Sequence, residues 1–392
     1  MGLIINRASG SLNRTNPTED AVVCMLFTGA AVSDKIALSQ PVQIFSADQA
    51  FTDYGITNGN NPVAYTDIKD FYEVAGEGAE LNFMLVAYSN TLDDICDKDN
   101  NIAKKLLDFT QGRCVLLLVN YKAPGGFTPN YRYGFDSSLW DAIDNMNVLA
   151  KEYDDNNIPF TAILPGFGFK EEDITEIPLR SSLGNDYVGV NIWCKANNGI
   201  VSQGMLAGVL AKIQVHENCG AVEKGKISDT AFFPDGTPYI FLKNEIQNLA
   251  NKGLIVPTKR GQKSGYYFFD DPTMTALSSD YSSISWNRTI NKAKRIAADI
   301  LLEKLNSDVE INPSSGKIES SVCSDWESDV ERAIRSQMMK TSSIKKREIS
   351  GVKCTVNPDS DIINDEIDAT LSIVRKGQAK VINVTIKYTA TV

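Results

Sequence analysis

CVLLLVNY, residues 114–121, is the stretch on which the fold turns. Its apolar residues run on without polar alternation. A strand of this kind is buried on both faces, as in a parallel sheet, rather than half-wet as in an antiparallel one. A helix precedes it, NIAKKLLDFTQ (101–111), and an amphipathic helix follows, SSLWDAIDNMNVLAKEYDDNN (137–157). The alternation continues in both directions. Upstream lie the helix IKDFYEVAGEG (68–78), ending in glycines, and the strand LNFMLVAY (81–88). Downstream lie the strands PFTAILPG (159–166) and YVGVNIWC (187–194). AVVCMLFTGAAV (21–32) is a further buried strand, and PVQIFSADQAFTDYGI (41–56) reads as a strand and a short helix opening at Ser46 or Asp48 and stopped by Gly55. Helices alternating with apolar strands predict a doubly wound α/β domain with a mostly parallel sheet.

Beyond residue 200 the texture changes. SQGMLAGVLAKIQVHENCG (202–220) is a helix in which Gly204, Ala207, Gly208 and Ala211 recur at helical spacing, so a neighbour packs closely there. YIFLKNEIQNLANKGLIVPTKRG (239–261) reads as a helix capped by Gly253 and then a strand, and GYYFFDDPTMTA (265–276) as a strand and turn. SWNRTINKAKRIAADILLEKLN (285–306) is a long amphipathic helix with Ile290, Ala293, Ala297, Ile300 and Leu301 on one face. SDWESDVERAIRSQMMK (324–340) is a second, with a capping box at Ser324 and Glu327 and a stripe of Trp326, Val330, Ile334 and Met338. EIDATLSIVRKGQAKVINVTIKY (366–388) reads as two alternating strands turning at Lys376–Gly377, a β-hairpin. Its second strand completes either this protein's own sheet or a neighbour's.

The chain of 392 residues is long enough for two or three domains and a large core. It holds 39 Lys+Arg and 49 Asp+Glu; 18 of each fall in residues 261–392, so the first 260 hold 21 basic and 31 acidic groups and carry the whole net charge of −10. Such acidity disfavours a nucleic-acid partner, which calls for a basic face. Seven widely spaced cysteines without a CxxC read as reduced thiols packed as small apolar residues. The single histidine, His216, leaves little for a zinc site. The N-terminus lacks the basic-then-apolar pattern of a signal peptide, and the longest apolar run, 21–32, is too short to span a bilayer. These features predict synthesis in a cytoplasm without standard export and without direct membrane insertion.

No catalytic constellation emerges. GxSxG, HExxH and GxxxxGK[ST] are absent, and PGFGFKEED (165–173) lacks the full GxGxxG. KAPGGFTPNY (122–131) reads as a solvated loop. No catalytic residue, cofactor site or metal site is expected. KTSSIKKRE (340–348) is the one basic cluster, read either as a solvated helix end or as a contact for an acidic partner protein.

In order along the chain, four segments resemble the sheath protein of contractile phage tails and related contractile injection systems. They are VVCMLFTGAAVSDKIALSQPVQIFSADQAFTDYGI, SQGMLAGVLAKIQVHENCGAVEKGKI with its AGVLA core, GYYFFDDPTMTALSSDYSSISWNRTINKAKRIAADILLEKLN, and the Trp326 helix with the terminal hairpin. The usual GARTL-like strand is missing and GYYFFDD stands in its place, which marks a divergent branch.

The resemblance implies a structural subunit, not an enzyme: a virion tail component assembled in the host cytoplasm, homo-oligomeric in stacked hexameric rings around a tail tube protein, with baseplate and tail terminator proteins as further partners. It implies a donor arm (1–20), an acidic α/β outer domain (21–260) and an α+β inner assembly domain with terminal β-strand arms (261–392). Leu3, Ile4 and Ile5, with Ile382, Val384, Ile386 and Tyr388, would be the exchanged strands, on hinges at Gly10–Pro17 and residues 356–366. Arg332, Arg335, Lys340, Lys345, Lys346 and Arg347 would face the tube, with the helix 286–305 as second choice. Two rivals stay open: a cytosolic α/β enzyme with a ligand pocket near 120–130 or 165–172, and an ordinary homo-oligomer whose last strand closes its own sheet.

Overall fold

The computed structural model describes residues 19–341, 343, 346–360, 366–380 and 383. They fall into two compact units, one ending at Asn306 and one beginning at Ser307.

In the first unit β1 (Val23–Gly29), β2 (Val42–Ile44), β3 (Leu81–Ala87), β4 (Leu116–Asn120), β5 (Thr161–Pro165), β6 (Val188–Asn191) and β7 (Leu254–Ile255) form one sheet. Their order is β7-β6-β5-β4-β1-β3-β2, and every pairing is parallel except β2 with β3. Every residue of β1, β4, β5 and β6 is buried, which is the physical reason for the apolar runs in the sequence. The helices are α1 (Pro62–Ala75), α2 (Leu92–Cys96), α3 (Ile102–Phe109), α4 (Ser137–Asp155), α5 (Gln203–Lys212), α6 (Tyr239–Leu242), α7 (Ile246–Asn251) and α8 (Ile284–Leu302). α1 and α5 pack on each other, and α2 packs on α3 and α4. The expected single helix after residue 239 is broken into α6 and α7, and the one after residue 202 stops at Lys212.

The small residues of α5 have their close neighbour in α1. A Cβ on Gly204 would fall 1.9 Å from the Asp67 carbonyl oxygen, and one on Gly208 2.8 Å from that of Phe71. Backbone meets backbone here, so no side chain fits between the helices.

The first unit reaches further than the expected boundary at residue 260. Phe268 lies edge-on to Trp193 at 4.7 Å, and Met274–Thr275 pair with Gly184–Asn185. α8 is fastened by its cations. The Arg295 guanidinium donates to the carbonyls of Gly112, of Cys114 at 2.7 Å and of Pro159 at 2.6 Å, while Lys292 pairs with Asp20 and Lys294 with Asp154 at 2.8 Å. Ala293 and Ala297 are buried as expected, but so are Ile284, Ile296 and the polar Asn287, Arg288 and Asn291. The basic residues of this helix are thus engaged within its own unit.

In the second unit α9 (Ser320–Met338) lies on a two-stranded antiparallel ribbon, β8 (Ile349–Val356) with β9 (Ala369–Arg375). Val330, Ile334 and Met338 are buried, and Trp326 packs at the margin of a small cluster of Ile318, Cys323 and Val356. The helix starts a turn earlier than its expected capping box, because Cys323 adds a buried contact ahead of Ser324. Of the expected hairpin, only the first strand lies within the described residues, and it has a partner the sequence did not indicate. β9 pairs with β8, Val352 opposite Ile373 and Cys354 opposite Leu371, and residues 376–380 carry no regular structure. The other half of that hairpin, with Ile382, Val384, Ile386 and Tyr388, lies outside the described residues.

Replacing Gly208 by Leu forces α1 from α5 and is expected to cost about 3 kcal/mol. The check is the chemical-denaturation midpoint of the full chain; an unchanged midpoint would contradict the contact.

Candidate assembly site

The two edges of the β8–β9 ribbon differ. In an antiparallel ladder, alternate residues turn their N–H and C=O away from the partner strand. On β8 these are Val352, Cys354 and Val356, and α9 meets them with side chains. Cys354 N–H donates to Glu331 Oε1 at 3.1 Å, Val356 N–H donates to Glu327 Oε1 at 3.0 Å, and Arg335 Nη2 donates to the Val352 carbonyl at 3.0 Å. The Cys354 amide above all, then Arg335 and Lys353, hold the Glu331 carboxyl below the usual carboxylate range. On β9 the outward residues are those opposite, Ala369, Leu371 and Ile373. Among the described residues no strand pairs with that edge. Both faces of β9 are exposed or half-buried along its length, with Val374 60 % exposed.

The sequence-predicted residues fare unevenly. Arg332 is exposed and pairs with Asp329 at 2.9 Å, and with Ser328, Glu331, Arg335 and Ser336 it lines a shallow groove on α9. Arg335 is bound to Glu331 and the Val352 carbonyl. Lys340 and Lys346 are exposed, and Arg347 Nε donates to the Thr341 carbonyl at 3.2 Å. Lys345, Leu3, Ile4 and Ile5 lie outside the described residues.

The strand-end crevice of the first unit is packed with its own side chains. Tyr121 and Phe127 lie on Phe167 at 4.7 and 5.4 Å, Phe135 lies on Phe169 at 5.6 Å, and Phe169 on Phe233 at 5.7 Å. These rings occupy the loops where an enzyme reading places its pocket. Nearby is a buried polar network. Asn120 Nδ2 donates to Asp67 Oδ2 at 2.6 Å and to the Val201 carbonyl at 2.7 Å, and Gln203 Nε2 donates to the Val119 carbonyl at 3.1 Å. Burial pushes the Asp67 carboxyl up to about 8 against the hydrogen bonds from Asn120 and Gly204. The network ties α1 and the start of α5 to β4. All seven cysteines are buried free thiols, and His216 sits half-buried in the turns after α5. No helix among the described residues is long and apolar enough to cross a membrane.

The model of DUF2586, N-terminal domain, matches residues 3–272, and that of DUF2586, C-terminal domain, matches residues 280–392. The chain belongs to the DUF2586 family. No curated protein matches it significantly. Among solved structures, this DUF2586 chain is similar to a chain of the anti-feeding prophage (AFP) helical sheath in its contracted state. The TM-score is 0.61 at 13% identity, over 99% of this chain and 98% of that one. A chain of the PVC sheath complex, an extracellular contractile injection system in the contracted state, gives 0.60 at 14% identity over 100% and 98%. A chain of the six-fold symmetrised AFP baseplate gives 0.60 at 14% over 99% and 98%. At such identities the likeness is one of fold, and at that level the sheath resemblance of the sequence is borne out along the whole chain.

The family's C-terminal domain begins ahead of α8, although that helix packs within the first unit. Sequence reasoning missed β8 altogether. Its signal was present in ISGVKCTV, where Ile349, Val352, Cys354 and Val356 are buried and the bulge between Ile349 and Gly351 breaks the strict period of two. The side-chain sealing of its edge had no sequence signature, since Glu327 reads as a capping-box acid and Glu331 as an ordinary surface acid of a helix.

Because folding raises the Asp67 pKa, the folded state keeps a proton that the unfolded chain releases, and stability falls as pH rises from about 4 to about 8. Asp67→Asn is expected to flatten this fall, so its advantage over wild type grows with pH across that window. Parallel pH–stability profiles would contradict it.

Proposed function

We propose that this chain is the structural subunit of a contractile sheath. It polymerises as stacked sixfold rings around an inner tube and contracts to drive that tube through a target envelope. The observation that carries the reading is the fold shared over nearly the whole chain with chains of two contracted sheaths. In this reading the parallel sheet is doubly wound, α1 and α5 forming one layer and α2 to α4 the other, and it makes a stiff acidic body. The second unit is the assembly element. The open edge of β9 receives strands from neighbouring subunits, supplied by Leu3, Ile4 and Ile5 and by Ile382, Val384, Ile386 and Tyr388. Strand addition holds a partner through its backbone while alternate side chains fix register. The exposed side of α9 at Arg332, with Lys340, Lys345, Lys346 and Arg347 after it, faces the tube protein; Arg335 mainly braces β8. Baseplate and terminator proteins close the ends. The particle is a tail or injection device assembled in the host cytoplasm. The driving energy is packing between subunits, on the order of a few kcal/mol each, summed over the tube. The chain's work is assembly, without catalysis or cofactor, and the ring-filled crevice supports this over the enzyme reading.

Proline scanning of β9 tests the acceptor edge. Leu371→Pro removes an outward N–H and leaves the ladder to β8 intact, so the monomer folds but does not assemble. Ser372→Pro removes a ladder bond and unfolds the second unit. Sedimentation velocity with circular dichroism separates the two. Assemblies of wild-type size from Leu371→Pro would refute strand acceptance at β9.

A further inference from the structure

α6 spans four residues, and burying Tyr239 and Leu242 one turn apart turns Ile240 and Phe241 outward. They are 57 % and 72 % exposed, Phe241 being the most exposed large apolar side chain among the described residues. The platform beneath is fixed. Tyr239 lies edge-on to Tyr266 at 5.0 Å, its hydroxyl accepts from Lys259 N–H at 3.3 Å, and Lys259 Nζ lies 4.9 Å over the Tyr266 ring. Lys243 at the end of α6 is exposed like Lys259, and neither has an ion-pair partner among the described residues. An apolar knob bordered by lysines thus stands on a unit whose charge is otherwise acidic.

A complementary face exists on the same unit. α4 presents Asp141, Asp144 and Val148 at spacings of three and four along its exposed side, Val148 being 49 % exposed. Among the described residues Asp141 makes an exposed pair with Arg132 at 2.7 Å, and Asp144 accepts from the buried Asn185 at 2.9 Å, which leaves the second carboxylate oxygen of Asp144 to a partner. Exposed pairs of that kind contribute little and exchange readily.

We propose that the α6 knob of one subunit docks on the α4 face of a second copy, Phe241 against Val148 and Lys243 and Lys259 against Asp141 and Asp144. This deepens the sheath reading and rests on it. The contact joins two different surfaces of one chain, so it is heterologous and generates rings or helical arrays rather than closed twofold dimers. Charge matching sets its register and makes it salt-sensitive.

The experiment is a charge swap in the full chain, read by sedimentation velocity and negative-stain microscopy, with circular dichroism to confirm folding. Lys243→Glu with Lys259→Glu, and separately Asp141→Lys with Asp144→Lys, should each raise the concentration needed for assembly at least tenfold. Mixing the two variants should restore assembly with the two alternating, since each knob then meets a face of opposite charge on the other variant, and all four changes in one chain should also restore full assembly. Phe241→Asp should weaken assembly at every salt concentration. If wild type and all variants assemble alike, this contact is overturned and the sheath reading stands. If wild type stays monomeric in every condition, the sheath reading falls and this contact with it.

Discussion

Backbone N–H and C=O groups on the outer side of a strand demand partners, and that demand organises the second unit. β8 is met from within its own unit, by Glu327, Glu331 and Arg335 reaching down from α9. β9 has no such cover among the described residues. The asymmetry gives the ribbon a direction. One edge is locked to a helix whose apolar stripe already holds it, so any added strand goes to the other. It also sorts the charges of α9. Arg335 is occupied with structure, whereas Arg332 makes only an exposed pair with Asp329, and Lys340 and Lys346 are exposed.

The first unit is stiffened in three places. The α1–α5 contact is backbone on backbone, the strand-end crevice is filled by aromatic rings, and α8 is pinned to three carbonyls through Arg295.

Much of this architecture was legible in the sequence, because burial on both faces leaves a plain mark. CVLLLVNY, LNFMLVAY and PFTAILPG are strands as read, and the glycines of α5 announced a close neighbour without saying which. The Trp326 stripe is a core face, as its spacing indicates. What was missed was non-local. Periodicity said that 369–375 is a strand, but that it pairs with β8 is a tertiary matter. The extent of the first compact unit was hidden for a related reason: α8 looks like a free amphipathic helix until Arg295 and Lys294 find their partners some 140 to 180 residues away. Ile382, Val384, Ile386 and Tyr388 lie outside the described residues, so the last strand of the sequence reading stands on its alternation alone.

The central claim is that neighbouring subunits complete the ribbon along β9. Amide hydrogen exchange, compared residue by residue between monomer and assembled material, tests it most directly. The account predicts that Ala369, Leu371 and Ile373 gain strong protection on assembly, while Thr370 and Ser372, already bonded to β8, change little. Assembly that leaves those three outward amides exchanging as in the monomer would contradict it.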